Sequence, residues 1–320
     1  QLLFFTTDGM AYKLKTWRLP QGGRTSKGKA VVNILPIPTG VSIAAIMPVD
    51  IPEEDWENVQ IIFATSAGDV RRNALSDFTN VRANGKIAMD LPDNVTLVNA
   101  RIATQDDDVM LVTKSGRAIR FSTKAVRVFK GRKSTGVRGV RLTGDDCVVS
   151  MSILRHFEAS SDERAAYLKM RRAVAGMVDD EGAGTEDEEV SANATISPER
   201  YAEMSAAENL ILTISSRGSG KLSSSHDYPV RGRGGMGVAA MDKAMRGGDL
   251  VASFPVDLED QIMLATSKGQ SIRVPIEGIS FRSRSAGGVK VFNTGNNEEV
   301  VSVARIVEQS EEEEAPQSEA

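Results

Sequence analysis

The chain has 320 residues, 41% of them hydrophobic, with a formal net charge of -4, one cysteine and two histidines. No apolar run approaches the ~20 residues that cross a bilayer, Cys147 has no second cysteine to pair with, and His156 and His226 are too few and too far apart for a His/Cys metal cluster. Together these read as a globular, cytoplasmic protein without metal chemistry or a membrane-spanning segment, large enough for two domains or one closed all-β fold.

From the first residue an apolar run leads into a polar turn closed by glycine, and the pattern recurs: Leu2 to Gly9, Ile61 to Gly68, Met110 to Gly116, Ile211 to Gly218 and Met263 to Gly269. Lys13, Arg72, Arg120 and Arg273 each stand four residues beyond their glycine. A second glycine in basic surroundings follows each turn, at Gly28, Gly85, Gly136, Gly237 and Gly288. Next come an apolar stretch such as Ala30 to Leu35, a turn such as Thr143 to Asp146, and a last strand such as Val148 to Ile153. Each unit reads as four short strands. Units of about 50 residues built this way are the signature of propeller-like blades, because radial closure protects sheet edges. The expected fold is all-β, a propeller-like ring of four-stranded blades over 1–307 with five repeats visible.

The step from Gly116 to Gly218 is a full period longer than the others, which places an insertion at 155–208. Ser160-x-x-Glu163 is a capping box that predicts a helix from Asp162 to Met177, and Ser197 followed by Pro198 predicts a second, short one. Asp179 to Val190 and the tail 308–320 are acidic and poor in apolar residues, so both are expected to be disordered. Because the repeats on either side keep their phase, the insertion is expected to be dispensable for the ring.

Charge is unevenly distributed. The tail from Glu308 carries six acidic and no basic residues, Arg155 to Glu208 has a net charge of -7, and the remainder is left at +9. A basic body with two acidic appendages suggests a polyanionic partner, and on charge alone RNA, DNA and acidic membranes are all candidates. Its cations gather in equivalent, glycine-rich loops. The candidate phosphate contacts are Lys15, Arg18, Arg24 and Lys27 in the first repeat, Arg71, Arg82 and Lys86 in the second, and Arg127, Lys130, Arg132, Lys133 and Arg138 in the third. The fourth adds Arg231 and Arg233, and the fifth Arg282, Arg284 and Lys290. Any single Lys or Arg is ordinarily a solvated surface group; recurrence at one phase of successive blades is what suggests a belt for a duplex backbone. Aromatic residues make up only 5% of the chain, which argues against base stacking and single strands.

Other motifs are structural. Arg231 to Gly237 spells G-x-G-x-x-G, but Tyr228-Pro229 precedes it and a strand-like segment follows, so it lacks the strand and helix of a dinucleotide site. Arg217 to Lys221 lacks the glycine and Ser/Thr of a P-loop and reads as a turn. His226-Asp227 reads as a turn, Trp17 and Trp56 as packing or rim residues, and Cys147 as a small buried one. No catalytic constellation is present.

Gly28 to Pro36, Ser134 to Leu142 and the five blades before an acidic tail resemble the C-terminal domain of the DNA gyrase A subunit, over residues 1–154 and 208–307. That resemblance implies a six-bladed β-pinwheel whose basic perimeter wraps duplex DNA without strong sequence preference, in an enzyme that introduces negative supercoils. It also implies that the catalytic tyrosine, ATP and Mg2+ belong elsewhere in the holoenzyme, and that the partners are the N-terminal part of the same polypeptide and the gyrase B subunit. The family's Gln-Arg-Arg-Gly-Gly-Lys-Gly box belongs in a first blade, which this sequence lacks; Arg231 to Gly237 resembles it only in spelling. The alternatives are the corresponding domain of topoisomerase IV, which serves decatenation, and a propeller acting as a protein-interaction platform.

Overall fold

The computed structural model describes residues 1–22, 27–131, 134–174, 194–245 and 247–306. In chain order the first repeat supplies β1 (Leu2–Thr6), β2 (Met10–Leu14) and β3 (Ile43–Pro48), and the second β4 (Gln60–Thr65), β5 (Asp69–Ala74), β6 (Lys86–Ile87) and β7 (Leu97–Ala103). The third has β8 (Asp107–Thr113), β9 (Arg117–Ser122), β10 (Val137–Arg138) and β11 (Val148–Arg155). After helices α1 (Ser161–Val174) and α2 (Pro198–Ala207), the fourth has β12 (Leu210–Ser215), β13 (Ser219–Ser224), β14 (Val238–Ala239) and β15 (Leu250–Val256). The fifth has β16 (Gln261–Thr266), β17 (Ser271–Pro275), β18 (Val289–Lys290) and β19 (Val300–Ile306).

These strands build five antiparallel sheets, one per repeat, but not from one repeat each. The sheet orders are β3-β1-β2-β6, β7-β4-β5-β10, β11-β8-β9-β14, β15-β12-β13-β18 and β19-β16-β17. Every fourth strand is lent by the following repeat. The expectation of four strands drawn from a single unit is thus corrected to three long strands plus a two-residue loan, and the fifth blade has three strands among the described residues. The segment Ala30 to Leu35 is no strand: Val31–Asn33 forms a 3-10 turn, and a Cβ at Gly28 would meet nothing within 4 Å among the described residues.

The inner strands β3, β7, β11, β15 and β19 pack on one another in succession, and residues of all five line one central cavity of about 810 Å3. Blades therefore radiate from a common axis, with the lent strands outermost. This explains why the first strand of a repeat is apolar throughout instead of alternating. Along β4, Ile61 and Phe63 enter the core shared with blade one while Ile62 and Ala64 enter the core shared with blade three. Successive residues of a strand point to opposite faces, and both faces are covered. Phe5, Phe63 and Phe78 meet edge-on or tilted with centroids 5.4 to 5.8 Å apart in the first of these cores. Trp56 is fully buried there, its indole N–H donating to Ile51 O at 2.9 Å. Cys147 is half-buried rather than buried.

In the insertion, the Ser160 N–H donates to Glu163 Oε2 at 2.8 Å and the Glu163 N–H to Ser160 Oγ at 3.2 Å, the reciprocal pair that the capping box predicts. Ser197 Oγ caps α2, with Pro198 in its first turn. The Asp179 to Val190 segment, the end of the first predicted helix and the acidic tail lie outside the described residues. The helices do not hang free of the ring. His226 is buried between them and the fourth repeat, edge-on to Phe157 at 5.6 Å and to Tyr167 at 5.0 Å, with Nε2 2.8 Å from Met204 O. Arg171 lies over the Phe281 ring of the fifth repeat. Salt bridges from Arg200 to Glu163 and from Arg171 to Glu208 tie the pair together, and Arg200 also bridges to Glu203 within α2. The insertion itself supplies the rings that bury His226 of the fourth repeat, so in place of the expectation that it is dispensable its loss is predicted to destabilise the ring.

Candidate nucleic-acid interface

Each blade begins with a hairpin whose turn is closed in the same way. The N–H of Gly9, Gly68, Gly116, Gly218 and Gly269 donates to the carbonyl of a Thr or Ser three residues earlier, at 2.9 to 3.0 Å. All five glycines have φ between 75° and 92°, the left-handed region that L side chains avoid. In four of the five the glycine carbonyl then accepts from the next repeat: Gly9 O from Ala88 and Met89, Gly68 O from Gly139 and Val140, Gly116 O from Ala240, and Gly218 O from Val291 and Phe292. A Cβ would overlap Met89 O at Gly9 and Phe292 O at Gly218. At Gly269 a Cβ would meet nothing within 4 Å, since among the described residues no lent strand docks there. The turn is thus a clip that holds the following repeat's loop at the outer edge of the blade.

The clip fixes a register. Ile87, Arg138, Ala239 and Lys290 occupy one rung, facing Met10, Asp69, Arg117 and Ser219. Arg138 and Lys290 are exposed on that rung. Lys86 sits one residue earlier, pairs with Ala11, faces the other side and is only half-exposed. Where the fourth repeat has Ala239, the exposed Arg117 of the facing strand supplies the cation and donates to Gly237 O at 3.2 Å. Sequence spacing passed over Arg117, since only the cross-strand register brings it to the loop.

Of the remaining candidates, Lys15, Arg18, Lys27, Arg82, Arg127, Lys130 and Arg233 are exposed, and Arg231 and Arg282 are half-buried. Arg18 lies over the exposed Trp17 ring at 5.2 Å and Arg127 over Phe129 at 4.4 Å. Arg233 donates to Ala125 O and Arg138 O, and Lys290 to Arg217 O. Rings and main-chain oxygens orient these heads without neutralising them, which leaves positive charge at the edges of successive blades.

Two candidates are corrected. Arg71 is fully buried, its guanidinium turned inward to Ser134 O at 2.8 Å and to Gly131 O. Arg284 is buried too, donating from Nε to Asp227 O at 2.9 Å and from Nη1 to Ala239 O at 2.8 Å. Both hold loops and neither is placed to meet a phosphate. Arg24, Arg132 and Lys133 lie outside the described residues. Among the cations set by spacing from the hairpin glycine, Arg120 is buried against Asp108 at 2.8 Å, burial pushing its pKa down, and Lys13 is bonded to Glu53 and Thr79 O. The G-x-G-x-x-G stretch is the clip loop of the fourth repeat, followed by β14 rather than a helix. Among the described residues no group of His, Cys, Asp and Glu could hold a metal ion, and no helix is long and apolar enough to cross a membrane.

A family model described as "DNA gyrase C-terminal domain, beta-propeller" matches residues 1–50, 60–104, 107–155, 209–254 and 260–306, one segment per blade and none in the insertion. The DNA gyrase A subunit of Granulibacter bethesdensis is 45% identical over 318 residues, covering 96% of this chain and 34% of the relative. Its counterpart in Rickettsia bellii is 38% identical over 317 residues, covering 98% and 34%. The chain thus spans about a third of the length of these curated relatives. A solved C-terminal domain of DNA topoisomerase IV matches with a TM-score of 0.70 at 20% identity, covering 95% of this chain and 78% of that one. A DNA gyrase A C-terminal domain matches at 0.66 and 19%, covering 96% and 82%.

Proposed function

The chain belongs to the DNA gyrase C-terminal domain, beta-propeller family, and from that premise we propose that it binds duplex DNA along the outer edges of its blades and bends it around the ring. The observation that carries this reading is the repetition of one clip: four hairpin glycines hold four loops at the rim, and exposed Arg82, Arg127, Lys130, Arg138, Arg233, Arg117 and Lys290 accompany them. Cations that recur along successive blade edges suit phosphates, which carry no sequence information. Among the described residues none of these loops forms a recognition helix of the kind that reads base edges.

Within a full-length gyrase A polypeptide, this wrap would feed ATP-dependent negative supercoiling by a type II topoisomerase in the bacterial cytoplasm. The N-terminal part of that polypeptide and the gyrase B subunit would be the partners, and strand cleavage, ATP and Mg2+ would belong to those parts. The topoisomerase IV alternative rests on a likeness in fold at 20% identity, whereas the gyrase relatives reach 45% over nearly the whole chain; gyrase is the better-supported reading. A protein-interaction platform would need an apolar hot spot; the exposed Val128, Val230 and Met236 of these loops stand in sequence among the cations, which favours the phosphate reading. Titrating a labelled duplex at several salt concentrations tests the proposal. With about 6 phosphates neutralised, log K against log salt falls with a slope of about -5, and a slope near zero or a preference for single strands refutes it.

A further inference from the structure

Arg71 on β5 and Lys221 on β13 hold equivalent places, three residues past the hairpin glycines Gly68 and Gly218, and neither is exposed to solvent. Each reaches into the loop lent by the next repeat. Arg71 donates to Ser134 O and Gly131 O. Lys221 Nζ donates to Ser283 O at 2.7 Å, Arg284 O at 2.5 Å and Ala286 O at 2.7 Å. Gly131 and Ser283 both lie five residues before the loop glycines Gly136 and Gly288, and Ser134 and Ala286 both lie two before them. The same two loop carbonyls are therefore gathered by side chains of different chemistry. A buried charge is costly unless it is fully hydrogen-bonded. The fold does not require one here, since the buried Tyr12 and Ile119 take this position in the first and third repeats.

We propose that Arg71 and Lys221 are positioning residues for duplex contact, each setting from inside the protein the path of a loop whose outer face meets phosphate. The proposal rests on the DNA-binding reading above. Its physical content is that carbonyl oxygens directed at a buried cation cannot face the backbone of a polyanion. The loop cations Arg127, Lys130 and Arg138 in one case, and Arg282 and Lys290 in the other, then meet phosphate without opposing dipoles.

The two braces differ in one respect. A guanidinium stays charged, whereas an ammonium that becomes an amine falls from three N–H donors to two. Burial pushes Lys221 down to about 7, with Asp227 and Asp242 opposing that shift and Arg282 and Arg284 adding to it. The loop of the fifth repeat is thereby tied to pH, and the loop of the third is not.

The test compares the native chain with Lys221→Met and Lys221→Arg at pH 6 and pH 8.5, by amide hydrogen exchange of residues 282–290 without DNA and by duplex binding against salt. Expected for Lys221→Met is exchange faster by about tenfold and a salt slope shallower by about 1 to 2. Lys221→Arg, which supplies the guanidinium that Arg71 uses, restores both, and only the native chain binds more weakly at pH 8.5 than at pH 6. Native exchange and slope in Lys221→Met would overturn the proposal. Should that variant fail to fold, equal pH dependence in the native chain and Lys221→Arg would overturn it. A chain that bound no duplex would refute the functional reading instead, and the exchange data would still judge the brace.

Discussion

Gly218 and Val291 are joined across two repeats: the glycine carbonyl accepts the valine N–H at 2.9 Å, and that bond hangs the fifth repeat's loop on the rim of the fourth blade. Glycine is required twice over, by its positive φ and by Phe292 O lying where a Cβ would go. Gly269 has the same φ class with open space around it. Gly269→Ala is therefore expected to cost only the left-handed strain of about 1 to 2 kcal/mol, and Gly218→Ala distinctly more. Denaturant midpoints of the two variants check the ordering.

Removing the insertion takes away Phe157, Tyr167 and Met204, the residues that bury His226. Replacing 156–208 by a short Gly/Ser linker is expected to lower the melting temperature well beyond a few degrees. His226→Ala alone, which loses two ring contacts and the bond to Met204 O, is expected to cost about 1 to 3 kcal/mol. Thermal unfolding of both variants decides.

His226 also gives stability a pH dependence. Burial, the largest influence on it, holds its pKa below 6.5, so in mild acid the unfolded chain binds a proton that the folded chain resists. Stability is complete above pH 6.5 and falls as pH drops through the folded pKa. Urea midpoints at pH 7.5 and 5.5 should differ for the native chain and differ less for His226→Gln.

Rim and brace separate by substitution. Arg127→Ala and Lys130→Ala each remove an exposed head and should reduce the salt slope by about 0.9 per phosphate while leaving unfolding unchanged. Arg284→Ala breaks the bonds to Asp227 O and Ala239 O and should lower stability first.

The contrast marks what the sequence carried. Hairpin glycines were legible because a left-handed turn admits little else, and the capping box was legible because its two partners are three residues apart. The lent strands were hidden: two residues leave no periodicity, and their partners belong to the previous repeat. Arg71 looked like a rim cation because a basic residue near a glycine loop is ordinarily solvated. Its alignment with Tyr12 and Ile119, three past the hairpin glycine, was the signal that the position is interior. Arg117 became a candidate only through its register with Ala239.

The tail from Glu308, with six carboxylates tethered to a basic body, should compete with duplex for the rim. Deleting 308–320 is expected to tighten binding most at about 0.01 M salt, where the Debye length is about 30 Å, and little at about 0.1 M, where it is about 10 Å. Equal affinities at both salts would assign the tail to solubility.

Energy transfer between dyes on the two ends of a ~40 bp duplex is the most direct test of wrapping. Bending a site of 20 to 30 bp costs about 1 to 6 kcal/mol, which contacts to several blades must offset. Transfer that rises on binding, and rises less when Arg138 and Lys290 are both replaced by alanine, is the predicted result. An end-to-end distance unchanged at saturating protein would contradict the account, leaving a straight duplex docked on a single blade.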